Sequence, residues 1–310
     1  SQRAAARPLP EPILRLMRSL PPVDGMDALR TLTSALCHYD REAADSSPQA
    51  QYRKAVRLTA QIGTIVATWG RMQAGGGPID PDPVMGHAAN FLYMLTGERP
   101  NSTAIKAFDV ALVLHADHEL NASTFAGRVA AATLTDIYSA VVAAIGTLKG
   151  PLHGGANAEV MKLLLELGQT ATGERVDEVI RGKLARKEKI PGFGHRVYHT
   201  EDPRATHLRQ MSLDLGKRAG NTAWYDMSQR IEALVKGEKK LNPNVDFYSA
   251  STYYTLGIPV DLYTPIFAVS RVSGWTAHIL EQYANNRLIR PRADYTGPEY
   301  PQRFLPLDQR

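Results

Sequence analysis

Cysteine is almost absent from this sequence: one residue, Cys37, in 310. That excludes an intramolecular disulfide framework and makes a reducing, cytoplasmic setting the expectation. Cys37 sits in TLTSALCHYD, the setting of a small core residue rather than of a reactive thiol. Long apolar runs are missing too. No stretch approaches the length of a membrane span, and none near the start has the form of a signal peptide. Strict apolar/polar alternation, the mark of half-buried strands, is nearly absent. Zinc signatures are lacking, with no cysteine cluster and no HExxH. Gly75 to Gly77 are followed by no Lys-Ser/Thr pair and preceded by no strand, so they are not a phosphate loop. The charge excess is small: 36 Lys and Arg against 31 Asp and Glu, net +5. No basic run with interleaved aromatics accompanies it, so nucleic acid and membrane are not expected partners. Arginines gathered around a small anionic ligand account for the excess better.

What is present is helical periodicity. Leu58, Ile62, Ile65 and Trp69 repeat at four, three and four within Tyr52 to Met72, one face of a helix. AGGGPIDPDP breaks the pattern, and a second helix is expected from Pro83 to Gly97. Asn101 or Ser102 caps the next, with Ile105, Phe108, Leu112 and His115 on one face. Asn101-Ser-Thr and Asn121-Ala-Ser match the glycosylation pattern, which carries little weight without a secretory signal. Phe125 to Gly146 is apolar on most sides and predicts a central helix or helix pair. Helices are expected at Ala158 to Leu167, Arg175 to Leu184, Ala205 to Leu215, Thr222 to Val235, Asp246 to Leu256 and Pro265 to Asn285. The fold class is all-α.

Polar chemistry concentrates in five places. IPGFGHRVYHTEDPR, Ile190 to Arg204, begins as a loop that no regular helix accommodates, because Pro191 lacks a donor and Gly192 and Gly194 admit unusual backbone angles. It aims His195 and gathers Arg196, His199 and Arg204. Read alone, it is equally a solvated turn or an anion site. LHADHELNAS carries His115, Asp117 and His118. These read as a core histidine at a helix end or, remotely, as metal ligands of a helical phosphohydrolase. KGPLHGGANAEV sets His153 among glycines ahead of a helix, where it is a capping turn or a neutral imidazole able to donate to an oxyanion. In NPNVDFYSAS the residues alone favour Asp246 as an N-cap; the alternative is a partly desolvated general base. Arg271, in an apolar helix, needs a partner, and Arg287, Arg290 and Arg292, in RLIRPRADY, read as a solvated basic tail or, with Arg290 beside Arg271, as a dicarboxylate clamp.

Read together, LHADHELNAST, GPLHGGANAEVM, IPGFGHRVYHTEDPRA, NPNVDFYSA, AVSRVSGWTAH and RPRADYTGP resemble the citrate synthase family, from about Leu9 to the end of the chain. The resemblance implies condensation of acetyl-CoA with oxaloacetate in the tricarboxylic acid cycle, followed by thioester hydrolysis to citrate and CoA. No cofactor and no metal are implied, since acetyl-CoA is a substrate. It implies His153 on the thioester oxygen, Asp246 as the base and His195 on the oxaloacetate carbonyl. His118, Arg204, Arg271 and Arg290 would hold oxaloacetate, with Arg290 reaching across a homodimer interface. Arg186, Lys187, Lys189, Pro191, Gly192, Phe193, Gly194 and Arg196 would cradle CoA. His199 stands where a Lys or Arg is usual, which leaves one CoA phosphate contact open. A two-domain helical fold is implied, the large domain from 1–154 and 258–310 and a small one inserted at 155–257. A further N-terminal segment ahead of Ser1 is also implied. The alternative within the family is 2-methylcitrate synthase, which uses propionyl-CoA.

Overall fold

The computed structural model describes every residue except Ser1, Arg196 and His199. The described residues form fourteen α-helices and no strand, with one isolated antiparallel bridge between Phe193 and Pro243. The first eight helices are α1 (Gln2–Ala5), α2 (Glu11–Ser19), α3 (Gly25–Leu36), α4 (Pro48–Gln73), α5 (His87–Thr96), α6 (Ser102–His115), α7 (Ala122–Ala131) and α8 (Ile137–Leu148). Then follow α9 (Ala156–Leu167), α10 (Gly173–Ala185), α11 (Pro203–Arg218), α12 (Ala223–Lys239), α13 (Val245–Thr255) and α14 (Tyr263–Ala284). Among the described residues no helix is long and apolar enough to cross a membrane.

Local chemistry explains most boundaries. The side chains of Asp24, Ser47, Asn101, Asn121, Asp136, Thr172, Asp202 and Asn244 each accept a first-turn amide, satisfying donors that helix geometry leaves free. Both glycosylation-pattern asparagines are thus occupied as caps. The apolar 125–146 stretch is a pair, α7 and α8, packed on each other and on α14. One start differs from expectation. Residues 83–86 form a turn and α5 begins at His87, because Arg7 holds the carbonyls of Asp82 and Met85 while the Asp82 side chain accepts from the Val84 amide.

Helix α14 is the axis of the molecule. It packs on α3, α4, α6, α7, α8 and α9, and buries Trp275, Ile266, Val272 and Ile279 completely. Gly274 lets it approach the end of α6: its amide donates to the Ala116 carbonyl at 3.1 Å, and any Cβ there would collide with that oxygen. Helices α9 to α13 pack on one another, α11 with α13 and α10 with α12, and α11 and α13 also meet α6. The chain segments just after α6, before α9, before α11 and at the start of α13 therefore converge beside the middle of α14.

Candidate active site

At that convergence lies a cavity of about 600 Å³. His118, His153, Gly194, His195, Arg204, Asp246 and Arg271 line it, with Phe267 as an apolar wall. These residues come from five separate stretches of the chain.

Asp246 is in the first turn of α13, not at its cap. The cap is Asn244, whose backbone is extended and whose side chain accepts from the Asp246 amide at 3.0 Å. The cap reading of Asp246 is thereby corrected: NPNVD holds two candidate cap residues, and the extended one takes the role. Freed from capping, the Asp246 carboxylate accepts no hydrogen bond from any described residue. It lines the cavity. Burial raises its pKa to about 6, with nearby Arg204 and Arg271 pulling the other way. A carboxylate in that range is a competent base near neutral pH.

His153 occupies the turn between α8 and α9. The Ser123 amide donates to its Nε2 at 3.2 Å, and the Ser123 hydroxyl lies 2.8 Å from the same atom. A nitrogen that accepts an amide hydrogen carries a lone pair, so the ring is neutral with its proton on Nδ1. Burial first, then Arg271, lowers its pKa to about 4. Neutrality was expected from a nearby helix end; burial is the larger cause. Ser123 is held by buried Trp275, whose indole donates to the Ser123 hydroxyl at 3.1 Å. Sequence reasoning missed Ser123, although its place in the first turn behind the Asn121 cap was readable.

His195 is oriented by its own loop. The Val197 and Tyr198 amides donate to Nδ1 at 3.0 and 3.1 Å, which leaves the proton on Nε2. That nitrogen lies 3.2 Å from Nε2 of His118 and 3.4 Å from an Arg204 nitrogen. Burial and Arg204 lower the pKa of both imidazoles. The loop is fastened to the start of α13: Asn244 donates to the Gly192 carbonyl, the Gly194 amide donates to Asn242, and the Asn244 side chain donates to the Gly194 carbonyl, each at 2.9 Å. Gly192 has φ of +81°, and a Cβ there would lie 2.8 Å from Val160 and 2.9 Å from Phe247.

Arg271 is 2% exposed and donates through Nε to the His115 carbonyl at 2.6 Å. No carboxylate among the described residues pairs with it. Burial lowers its pKa to about 10, so it stays cationic at neutral pH. A buried guanidinium with no carboxylate in ion-pair contact among the described residues is a receptor for an anion. Arg204 is 11% exposed at its side chain and pairs with Asp202. The cavity therefore offers two guanidiniums, three neutral imidazoles and the Asp246 carboxylate, with Glu119 also on its lining.

The remaining candidates lie elsewhere. Arg290 is exposed on the extended segment after α14. Arg186, Lys187 and Lys189 are exposed, and Arg186 pairs with Glu188 at 2.6 Å. Pro191, Gly192 and Phe193 support the loop; of the described residues in the CoA set, Gly194 alone lines the cavity. Arg196 and His199 lie outside the described residues. The metal trio does not converge. His115 is fully buried, bonded to the Ala111 carbonyl at 2.8 Å, with its pKa lowered to about 3 by burial; Asp117 meets His278 at 3.2 Å; His118 faces His195.

The family model for the citrate synthase C-terminal domain matches residues 1–292. The chain belongs to the citrate synthase family. It is 57% identical over 311 residues to citrate synthase 2 of Bacillus subtilis, covering 100% of this chain and 82% of that protein. A citrate/2-methylcitrate synthase of the same organism is 47% identical over 298 residues, covering 96% of this chain and 79% of its own length. The solved ternary complex of carboxymethyl coenzyme A and oxaloacetate with citrate synthase from Thermoplasma acidophilum superposes with a TM-score of 0.89 at 30% identity, over 100% of this chain and 82% of that one. As a family member the chain is an enzyme of the acyl-transferring, condensing type.

Proposed function

We propose that this protein condenses acetyl-CoA with oxaloacetate and hydrolyses the resulting citryl thioester to citrate and CoA. The reaction draws its acyl group from a substrate and needs no cofactor. One observation carries the reading: a carboxylate with its pKa raised to about 6 shares a cavity with two neutral imidazole donors and two guanidiniums.

A thioester methyl proton is too weakly acidic for a carboxylate alone. Asp246 takes that proton while His153, through Nδ1–H, donates to the thioester oxygen as charge develops there. A neutral donor suits this step, because its proton stabilises the enol oxygen without an imidazolium in the cavity. The enol carbon then attacks the ketone carbon of oxaloacetate. His195 Nε2–H, which lies 3.2 Å from His118 Nε2, turns to that carbonyl, polarises it and gives its proton to the alkoxide that forms. Arg204 and Arg271 bind the two carboxylates, with His118 beside them. Water then cleaves the thioester.

The finer assignments belong to the same reading. CoA lies along Arg186, Lys187, Lys189 and the Pro191–Gly194 backbone. Residues 155–257 act as a small domain that closes on 1–154 and 258–310. The active form is a homodimer in which Arg290 serves the partner's site. The segment beyond α14 supports this, since Tyr295, Tyr300, Phe304 and Leu307 are 77%, 93%, 85% and 84% exposed, an apolar surface suited to a second copy. The enzyme works in the cytoplasm, in the tricarboxylic acid cycle.

A second reading, 2-methylcitrate synthesis, is favoured by the name of the 47%-identical relative. The two differ by one methyl, which apolar pockets discriminate by about ten- to two-hundredfold. Thiol release with oxaloacetate and either acetyl-CoA or propionyl-CoA separates them. Faster turnover of acetyl-CoA is expected. A clear preference for propionyl-CoA selects the second reading, and no release from either refutes both.

A further inference from the structure

Asp202 is a buried carboxylate, 1% exposed, that does not line the cavity. It accepts four hydrogen bonds. Oδ1 takes the Arg204 amide and Arg204 Nε, both at 3.0 Å; Oδ2 takes an Arg204 terminal nitrogen at 2.8 Å and the Val245 amide at 3.0 Å. Capping α11 needs only the first of these. The side-on pair with Arg204 occupies two of five guanidinium hydrogens and leaves three on the edge that faces His195 and the cavity. The Val245 bond reaches the first residue of α13, immediately before Asp246. Neighbouring Glu201 fixes this corner from behind, through Arg209 at 2.6 Å and Lys236 at 2.9 Å.

We infer that Asp202 is the positioning residue of this site: it sets the direction in which Arg204 meets oxaloacetate and locks that guanidinium to the helix carrying the base. The inference rests on the functional reading above. Asp202 touches no substrate in it and acts through Arg204 and Val245. Every oxygen position of the carboxylate faces donors, so an amide in its place would set an NH2 against two N–H groups. Arg204 would then be free to turn within a cavity that binds oxaloacetate best with the guanidinium fixed.

Two variants test this. Asp202→Asn keeps the size and reverses half of the hydrogen-bonding; Asp202→Ser keeps an N-cap for α11 and removes the pair with Arg204. Both are measured beside wild type for oxaloacetate dissociation constant, for the KM of each substrate and for kcat. Circular dichroism and thermal unfolding report the fold. In the folded variants the oxaloacetate dissociation constant and KM are expected to rise about ten- to a hundredfold. The acetyl-CoA KM should change less than about threefold, with kcat reduced. In an Arg204→Ala background, Asp202→Ser should cost little more affinity, because the two residues act as a unit. Unchanged oxaloacetate affinity overturns the inference. So does a parallel rise in both KM values with a lowered unfolding temperature, full additivity with Arg204→Ala, or failure of both variants to fold, since each makes Asp202 a general stability residue. A wild-type enzyme inactive with both acyl-CoA substrates removes the functional reading instead.

Discussion

Replacing Asp246 by Asn separates the demands of catalysis from those of stability. The carboxyl is raised from 3.8 to about 6 because burial disfavours its ionised form and no described group donates to it. At pH values above 6 the folded protein therefore carries an ionised group about 3 kcal/mol less stable than it is in the unfolded chain. The sign follows from proton binding. Between 3.8 and 6 the folded state holds a proton that the unfolded state has released, so this group's contribution to stability falls as pH rises through that window and stays low above it. Asparagine, nearly isosteric and neutral, removes the cost. At pH 7.5 Asp246→Asn should be more stable than the parent by up to about 3 kcal/mol, a rise of roughly 5 °C in the unfolding midpoint. At pH 3 the difference should vanish. Turnover should fall about a thousandfold or more with the loss of the base. In the parent, kcat/KM for acetyl-CoA should fall tenfold per pH unit below about 6. Thiol release and thermal unfolding across pH 3 to 8 measure all of this. An active Asp246→Asn, or one less stable than the parent at pH 7.5, would refute the reasoning.

Three further outcomes are expected. His153→Ala should lower kcat about a hundredfold to ten-thousandfold, with an unchanged far-UV spectrum, since it removes the donor to the thioester oxygen. Arg271→Lys should raise the oxaloacetate KM about ten- to a hundredfold, because an ammonium loses the two-pronged contact and the bond to the His115 carbonyl; equilibrium binding measures it. Gly192→Ala should destabilise the protein by at least about 1–3 kcal/mol in urea unfolding, given its φ of +81° and the crowding by Val160 and Phe247.

Much of this molecule is legible in its sequence because helices announce themselves locally. The 58–62–65–69 periodicity, the Asn101 cap and the apolar 125–146 stretch each give an element within a few residues of its observed bounds. The site is legible only as a set of residue types. Which of two neighbouring Asx residues caps α13 depends on the extended backbone at Asn244, and that choice turns Asp246 from cap to base. The tautomer of His153 is set by an amide 30 residues away, and the hold of Asp202 on α13 spans 43 residues. The start of α5 was displaced by Arg7, 75 residues from the carbonyl it binds. Such long-range hydrogen bonds leave no periodic or spacing signal.

The central claim is that one cavity brings two substrates together to form a carbon–carbon bond. The most direct measurement is the stoichiometry of thiol and citrate released by the purified protein from acetyl-CoA, with and without oxaloacetate. The account expects one citrate per thiol and release that depends strictly on oxaloacetate. Thiol release without oxaloacetate, or release unaccompanied by citrate, would make the protein a thioester hydrolase and contradict it.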